Sequence, residues 1–173
     1  MSEMSDLSRA LAVFRRYVEA RNALLDELKL RRKSNRDPLA EFSEWLVATL
    51  IGGTRADNPV QKGWDVRGPD DEKVQVKYLA NSTGQWINEH TIHVTEWVNS
   101  YALVIFEDLL PQAVVIFPAR NLAAIGKALG KRHSDLDTTL QFTQTNYRRI
   151  RENMPQFKTL SVQLYLAPDW AVQ

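Results

Sequence analysis

The chain of 173 residues contains no cysteine. That absence excludes disulfide bonds, thiol catalysis and zinc sites built on thiolates. The sequence also lacks a run of about 18 apolar residues, the length that a transmembrane helix needs, so we expect no membrane partner. A large charge excess is missing too, because 22 Lys and Arg residues oppose 21 Asp and Glu residues and leave a net charge of +1. Nucleic-acid binding would therefore depend on a local basic patch.

Two further signals are missing. The N-terminus mixes acidic, basic and apolar residues and lacks the basic-then-apolar order of a secretory signal, so we expect a cytoplasmic protein. The sequence Gly52-Gly53-Thr54 lacks the lysine and the spacing of a P-loop, which predicts that no nucleotide cofactor is used. The residues that are present, 44% hydrophobic and 25% charged, are typical of a globular protein with one domain and an appended element.

The appended element is a helix predicted over residues 5–33, within an N-terminal segment of residues 1–36. Its apolar residues recur in alternating steps of four and three, which is heptad spacing. They are Leu7, Leu11, Phe14, Val18, Leu25 and Leu28, with Arg21 interrupting the series. Two interpretations stay open: the helix packs on its own domain, or it is a dimerisation or docking element.

A short basic cluster follows this helix. It consists of Arg31, Arg32, Lys33 and Arg36. Cations suit the C-terminal end of a helix, where the backbone carbonyls carry partial negative charge. Contact with phosphate is the alternative interpretation.

Residues 37–173 are predicted to form the main domain. A second helix begins at Pro38, capped by Asp37, and ends at Gly52 and Gly53. Period-two segments at residues 63–66 and 73–79 then flank a turn and predict a β-hairpin. Strands are predicted at residues 91–94, 101–106, 112–117, 140–143 and 159–166, and helices at 121–129 and 144–153, the last ending before Pro155. This order indicates an α/β fold, an α+β sandwich with a mixed sheet flanked by helices.

The hairpin carries the residues with the clearest chemistry. Asp65 lies on its first arm, and Gln75 and Lys77 lie two residues apart on the second, so these two point to the same face. A short turn brings Asp65 beside them, which assembles a carboxylate, an amide carbonyl and an ammonium group. A hard cation such as Mg²⁺ prefers oxygen ligands of this kind, and the lysine suits a phosphate oxygen or an attacking water. An exposed hairpin with ordinary polar residues is the alternative interpretation.

With its context, this pattern resembles the PD-(D/E)XK nuclease superfamily, in the variety with Gln at the middle acid, as in Mrr-type enzymes. The matching segments are AEFSEWLVATLIGG, KGWDV, VQVKY and ALVIF, and the resemblance covers about residues 37–117. It implies a restriction-endonuclease-like core in which Asp65 and Gln75 bind the metal and Lys77 is the catalytic lysine. It also implies a metal-binding glutamate on the preceding helix, which we assign to Glu44, with Glu41 as the fallback.

The resemblance implies a DNA endonuclease that depends on Mg²⁺ or Mn²⁺, acts in restriction, defence or repair, and forms a homodimer. The chain departs from the family pattern in two places: Trp64 replaces the proline before Asp65, and the neutral Gln75 makes the metal site one charge weaker. The alternatives are therefore a weak or inactive nuclease-like module that binds DNA, or a partner subunit of a restriction or defence complex.

Two weaker features complete the set of candidates. The helix at residues 144–153 carries Arg148, Arg149 and Arg151, which suit a phosphate backbone or form a solvated helix face. His90 and His93 have no cysteine or third histidine nearby that would indicate a structural metal, and His93 is an alternative lining residue of the cleft.

Overall fold

The computed structural model describes residues 2–29, 37–56, 63–81, 85–86 and 89–167, with the backbone alone for residues 2–7. The chain divides into two compact units, Met1–Phe42 and Ser43–Gln173, where the sequence predicts a division after Arg36. The basic cluster Arg31, Arg32, Lys33 and Arg36 lies outside the described residues.

The N-terminal helix α1 spans Ser2–Glu27 and gives way to a turn at Leu28 and Lys29. It therefore ends earlier than the predicted residue 33, because Lys29 adopts a left-handed conformation with φ of 55°. Leu25 and Leu28 are buried. Leu11 and Phe14, on the same heptad stripe, are exposed by 50% and 60%.

Helix α2 spans Pro38–Leu50 and has the predicted capping residues at both ends. The Asp37 carboxylate accepts a hydrogen bond of 2.9 Å from the Leu39 backbone N–H, which caps the first turn. Gly52 has φ of +65°, which suits a glycine after the helix end. A Cβ at Gly53 would lie 2.5 Å from the Arg67 carbonyl oxygen, so glycine is needed for this close approach.

The main sheet has six strands in the order β1-β2-β3-β5-β6-β8. Its strands are β1 (Thr54–Arg55), β2 (Val66–Arg67), β3 (Lys73–Ala80), β5 (Ser100–Glu107), β6 (Leu110–Pro118) and β8 (Gln163–Leu166). Strands β3 and β5 pair in parallel, and the other neighbours are antiparallel. Strands β4 (His90–His93) and β7 (Thr139–Phe142) form a separate antiparallel sheet.

The largest apolar cluster lies on one face of the main sheet. Leu103 and Ile105 of β5 and Val115 of β6 are fully buried there. The cluster also includes residues of β4, β7 and three short helices, α3 (Leu122–Ala128), α4 (Gln144–Glu152) and α5 (Met154–Thr159). The opposite face of the hairpin is apolar as well, since Val66, Val74 and Val76 are buried.

The predicted α+β architecture, with a mixed sheet and a long N-terminal helix, is confirmed. Two local predictions are wrong. The first hairpin arm is Val66–Arg67 rather than residues 63–66, and β8 begins at Gln163 rather than residue 159. The strand predicted at residues 140–143 is confirmed as β7, which pairs with β4. The helix predicted to end before Pro155 also does so, since α4 ends at Glu152, and Pro155 lies in the first turn of α5, where its missing N–H has no helical partner to lose.

Candidate functional site

Asp65 is fixed between strands β1 and β3. Its backbone N–H donates to the Val74 carbonyl and its own carbonyl accepts from the Ala56 N–H, both at 2.9 Å. Its carboxylate oxygen Oδ2 accepts a hydrogen bond of 2.8 Å from the Val76 N–H. Strand β2 is only two residues long, so β3 extends beyond the end of β2. The Asp65 carboxylate accepts a hydrogen bond from a backbone N–H in this extended part of β3.

Asp65 and Gln75 lie in the same part of the sheet. The Asp65 carboxylate bonds to the N–H of Val76, the residue after Gln75. Its charge also acts on Tyr101, which pairs with Gln75 in the parallel register of β3 and β5. Side chains alternate along a strand, and Val74 and Val76 are buried on the other face. Asp65, Gln75 and Lys77 therefore share one face of the sheet, the arrangement that the sequence predicts for the hairpin.

Gln75 has the most informative side chain of this group. Its amide oxygen Oε1 is buried and has no hydrogen-bond partner among the described residues. A buried acceptor in this state destabilises the fold by about 1–3 kcal/mol. A ligand that supplies a donor or a cation to this oxygen would remove that penalty. The orphaned oxygen and the adjacent carboxylate of Asp65 form an oxygen donor set that fits a hard divalent cation.

The sequence interpretation did not place Tyr101 of β5 or His90 of β4 at the site. Tyr101 pairs with Gln75 in the parallel β3–β5 register, and its hydroxyl lies 2.7 Å from Nε2 of His90. Burial raises the pKa of Tyr101 well above its usual value, and the negative charge of Asp65 raises it further. Burial, followed by the positive charge of Lys77, lowers the pKa of His90 below 6.5. A protonated phenol and a neutral imidazole thus border the site.

Lys77 is exposed, in contrast to Gln75. Its charge acts on His90, which puts the ammonium group within electrostatic reach of the Tyr101–His90 pair. The site therefore combines a carboxylate, a buried amide oxygen that no described residue satisfies, and an accessible cation. Such a set can hold a metal ion and an anionic substrate side by side.

Glu44 and Glu41 are both buried on α2. Oε2 of Glu44 forms an ion pair of 2.9 Å with Nη2 of Arg55 on β1. Arg55 pairs with Val66, so by register it projects from the face opposite to that of Asp65. Arg55 thus compensates the charge of Glu44, and a metal-binding role for either glutamate stays a prediction.

The predicted arginines lie on α4, which is capped by Thr143. Arg148, Arg149 and Arg151 are all exposed, while Tyr147 and Ile150 are buried. The Arg151 guanidinium lies 5.6 Å from the Tyr147 ring, and Trp86 stacks on Tyr147 with the ring centroids 5.9 Å apart. The result is a basic helix face beside stacked aromatic rings.

The two histidines of β4 point to different surroundings. His90 faces Tyr101, whereas the exposed His93 lies 3.2 Å from the Thr139 hydroxyl. His90, rather than His93, therefore borders the site. Within the described ranges, no group of three or more His, Asp or Glu side chains is arranged to hold a metal ion.

Comparison with known proteins gives no further assignment. A scan of the sequence finds no matching protein-family model, and a search of curated proteins finds no match. In the part of the chain that the structure covers, no helix combines the length and the apolar character needed to cross a membrane. The candidate site therefore rests on the geometry of its own residues.

Proposed function

We propose that the protein is a metal-dependent endonuclease that hydrolyses phosphodiester bonds in DNA. The observation that carries this proposal is the buried Oε1 of Gln75, which has no hydrogen-bond partner among the residues that the structure describes. The next residue along β3, Val76, donates its N–H to the Asp65 carboxylate, and Lys77 follows on the same face as Gln75. The resemblance of the Asp65, Gln75 and Lys77 pattern to PD-(D/E)XK nucleases supports the same function. A DNA substrate implies action in the cytoplasm, in restriction, defence or repair.

Asp65 and Gln75 would hold Mg²⁺ or Mn²⁺. Glu44 is not included among the proposed ligands, because it forms an ion pair with Arg55, which projects from the opposite face. When bound, such a cation would supply a Lewis acid that offsets the negative charge developing on the phosphate. Lys77 would bind a phosphate oxygen by its charge and orient the attacking water. A bond forms between the water oxygen and phosphorus while the bond from phosphorus to the leaving 3′ oxygen breaks; the water releases a proton to solvent and the leaving oxygen takes one up from solvent. By analogy with the family, the products carry 5′-phosphate and 3′-hydroxyl ends.

A DNA substrate also implies contacts to the phosphate backbone and a dimeric enzyme. The exposed arginines Arg148, Arg149 and Arg151 would contact the phosphate backbone, which requires no base-specific geometry. Cutting both strands of a duplex needs two active sites, so the proposed enzyme is a homodimer.

The test is a cleavage assay on supercoiled plasmid, linear duplex and single-stranded DNA, with Mg²⁺, with Mn²⁺ and with EDTA. We expect cutting that requires metal and that Lys77→Ala loses by at least 100-fold. Lys127→Ala removes an exposed lysine from α3 and should cut like the wild type. Unchanged cutting by Lys77→Ala would show that this lysine is not catalytic.

A module that binds DNA without cutting it is the second candidate function. It is favoured by the absence of a cluster of three metal-binding side chains among the described residues and by the ion pair that occupies Glu44. Tight DNA binding without cleavage in either metal would select this candidate. Absence of both binding and cleavage would instead indicate a partner subunit of a larger complex.

A further inference from the structure

Helix α1 carries an apolar stripe that is exposed over its central part. Leu11, Phe14 and Tyr17 are exposed by 50%, 60% and 54%. Leu11 and Phe14 lie about one turn apart on the heptad stripe, and Tyr17 lies one turn after Phe14 at the border of that stripe. Exposed apolar clusters of this kind mark interaction surfaces, because solvent contact with them is unfavourable.

We propose that this stripe pairs with α1 of a second copy of the chain, and that the two helices run antiparallel. Alternating steps of four and three along residues 7–18 give the 3.5-residue repeat that lets two helices interlock side chains along a common seam. Because both copies of α1 have the same 3.5-residue repeat, the apolar residues of one copy match the spacing of those on the other. The proposal concerns assembly alone and does not depend on the proposed nuclease activity.

The orientation follows from the one charged residue in the seam. Arg21 continues the heptad series after Val18. A parallel pair would set Arg21 against Arg21 of the second copy, and like charges in contact destabilise the pair.

The antiparallel register that sets Leu11 against Phe14 of the second copy has the opposite effect. It sets Arg21 against position 4, which follows Glu3 in the sequence, so the two arginines are separated and each lies near an acidic residue. Charge complementarity therefore selects the antiparallel arrangement. The paired segment, residues 4–21, is about 27 Å long at 1.5 Å per residue.

The first test measures the mass of the full chain by sedimentation equilibrium from 1 to 100 µM. We expect a dimer for the wild type and a monomer for Phe14→Glu, which buries a charge in the seam. Ala20→Glu adds the same charge to an exposed position outside the heptad stripe and should leave the dimer intact. Circular dichroism checks that both variants keep their helices. A monomeric wild type at 100 µM would overturn the proposal and indicate a different protein as the occupant.

The second test reads the orientation by disulfide cross-linking, which is simple because the chain has no cysteine of its own. In the antiparallel register, position 18 faces position 7, and the two copies of position 18 lie about 16 Å apart. A disulfide spans Cα atoms only up to about 7 Å apart. A mixture of Leu7→Cys and Val18→Cys should therefore cross-link, whereas Val18→Cys alone should not. Cross-linking by Val18→Cys alone, or by neither sample, would overturn the antiparallel register.

Discussion

Replacing Gln75 by methionine should make the protein more stable in the absence of metal. Methionine has a similar volume and an unbranched side chain, so it fills the same space without the amide. In the part of the chain that the structure covers, the buried Oε1 has no hydrogen-bond partner, and this destabilises the fold by about 1–3 kcal/mol. The side chain is only half-buried, so we expect a gain near the lower limit, about 1 kcal/mol.

Bound metal should reverse the order of stability of the wild type and the Gln75→Met variant. An ion that binds only the folded state at 100 times its Kd stabilises that state by about 2.7 kcal/mol. The wild type should gain stability of this size in saturating Mg²⁺. The methionine variant lacks one of the two oxygen donors and should gain less, so the wild type becomes the more stable protein.

The assay is urea denaturation followed by tryptophan fluorescence, in EDTA and in Mg²⁺. The chain has five tryptophans to report unfolding. The matched control is Gln141→Met, which changes an exposed glutamine on β7 and should shift the free energy of unfolding by no more than about 0.5 kcal/mol. A loss of stability for the Gln75 variant in EDTA would refute the reasoning, because it would mean that Oε1 is satisfied in the folded protein.

Three other predictions use the same denaturation assay. Asp65→Ala removes the acceptor of the Val76 N–H and should lower the free energy of unfolding by about 1.5–3 kcal/mol. Asp65→Asn keeps an acceptor for the Val76 N–H and should lose less stability than Asp65→Ala. Equal losses of stability in the two variants would contradict this role of the carboxylate. The folded state lowers the pKa of His90, so just below pH 6.5 the folded protein binds fewer protons than the unfolded chain. The neutral ring therefore contributes its full stability above pH 6.5, and this contribution falls as the pH drops below that value. His90→Gln should therefore reduce the loss of stability between pH 7 and pH 5, and an unchanged loss would contradict the assignment. Thr143→Ala removes the cap of α4 and should lower the free energy of unfolding by about 1 kcal/mol, against no change for Thr145→Ala at an exposed position of the same helix.

The hairpin and its polar face were predictable because the signal is local. The valines at positions 74 and 76 alternate with Gln75 and Lys77, and a period of two leaves only one way to bury the valines. The caps of α2 were predictable for the same reason, since Asp37, Pro38 and the glycines act within a few residues.

The features of the site that the sequence did not predict depend on contacts between residues that are distant in the sequence. Tyr101 lies in an apolar run that is buried throughout, so its own segment does not show which face it occupies. Only the parallel register with β3 aligns it with Gln75 and brings it to His90. The Glu44–Arg55 ion pair likewise depends on β1, a strand of two residues that is too short to show a pattern.

The pairing of β5 with both neighbours has a consequence for folding kinetics. Strands β5 and β6 are joined by a two-residue turn at Asp108 and Leu109, so this hairpin is local and forms early. The parallel partner β3 precedes β5 by a long crossover and docks later, because its loop-closure entropy must be overcome first. Until it docks, the apolar edge of Tyr101–Phe106 is open to β-strands of other chains. Substitutions on β3 should therefore change the yield of refolding at high protein concentration, even where they leave the folded state unaltered.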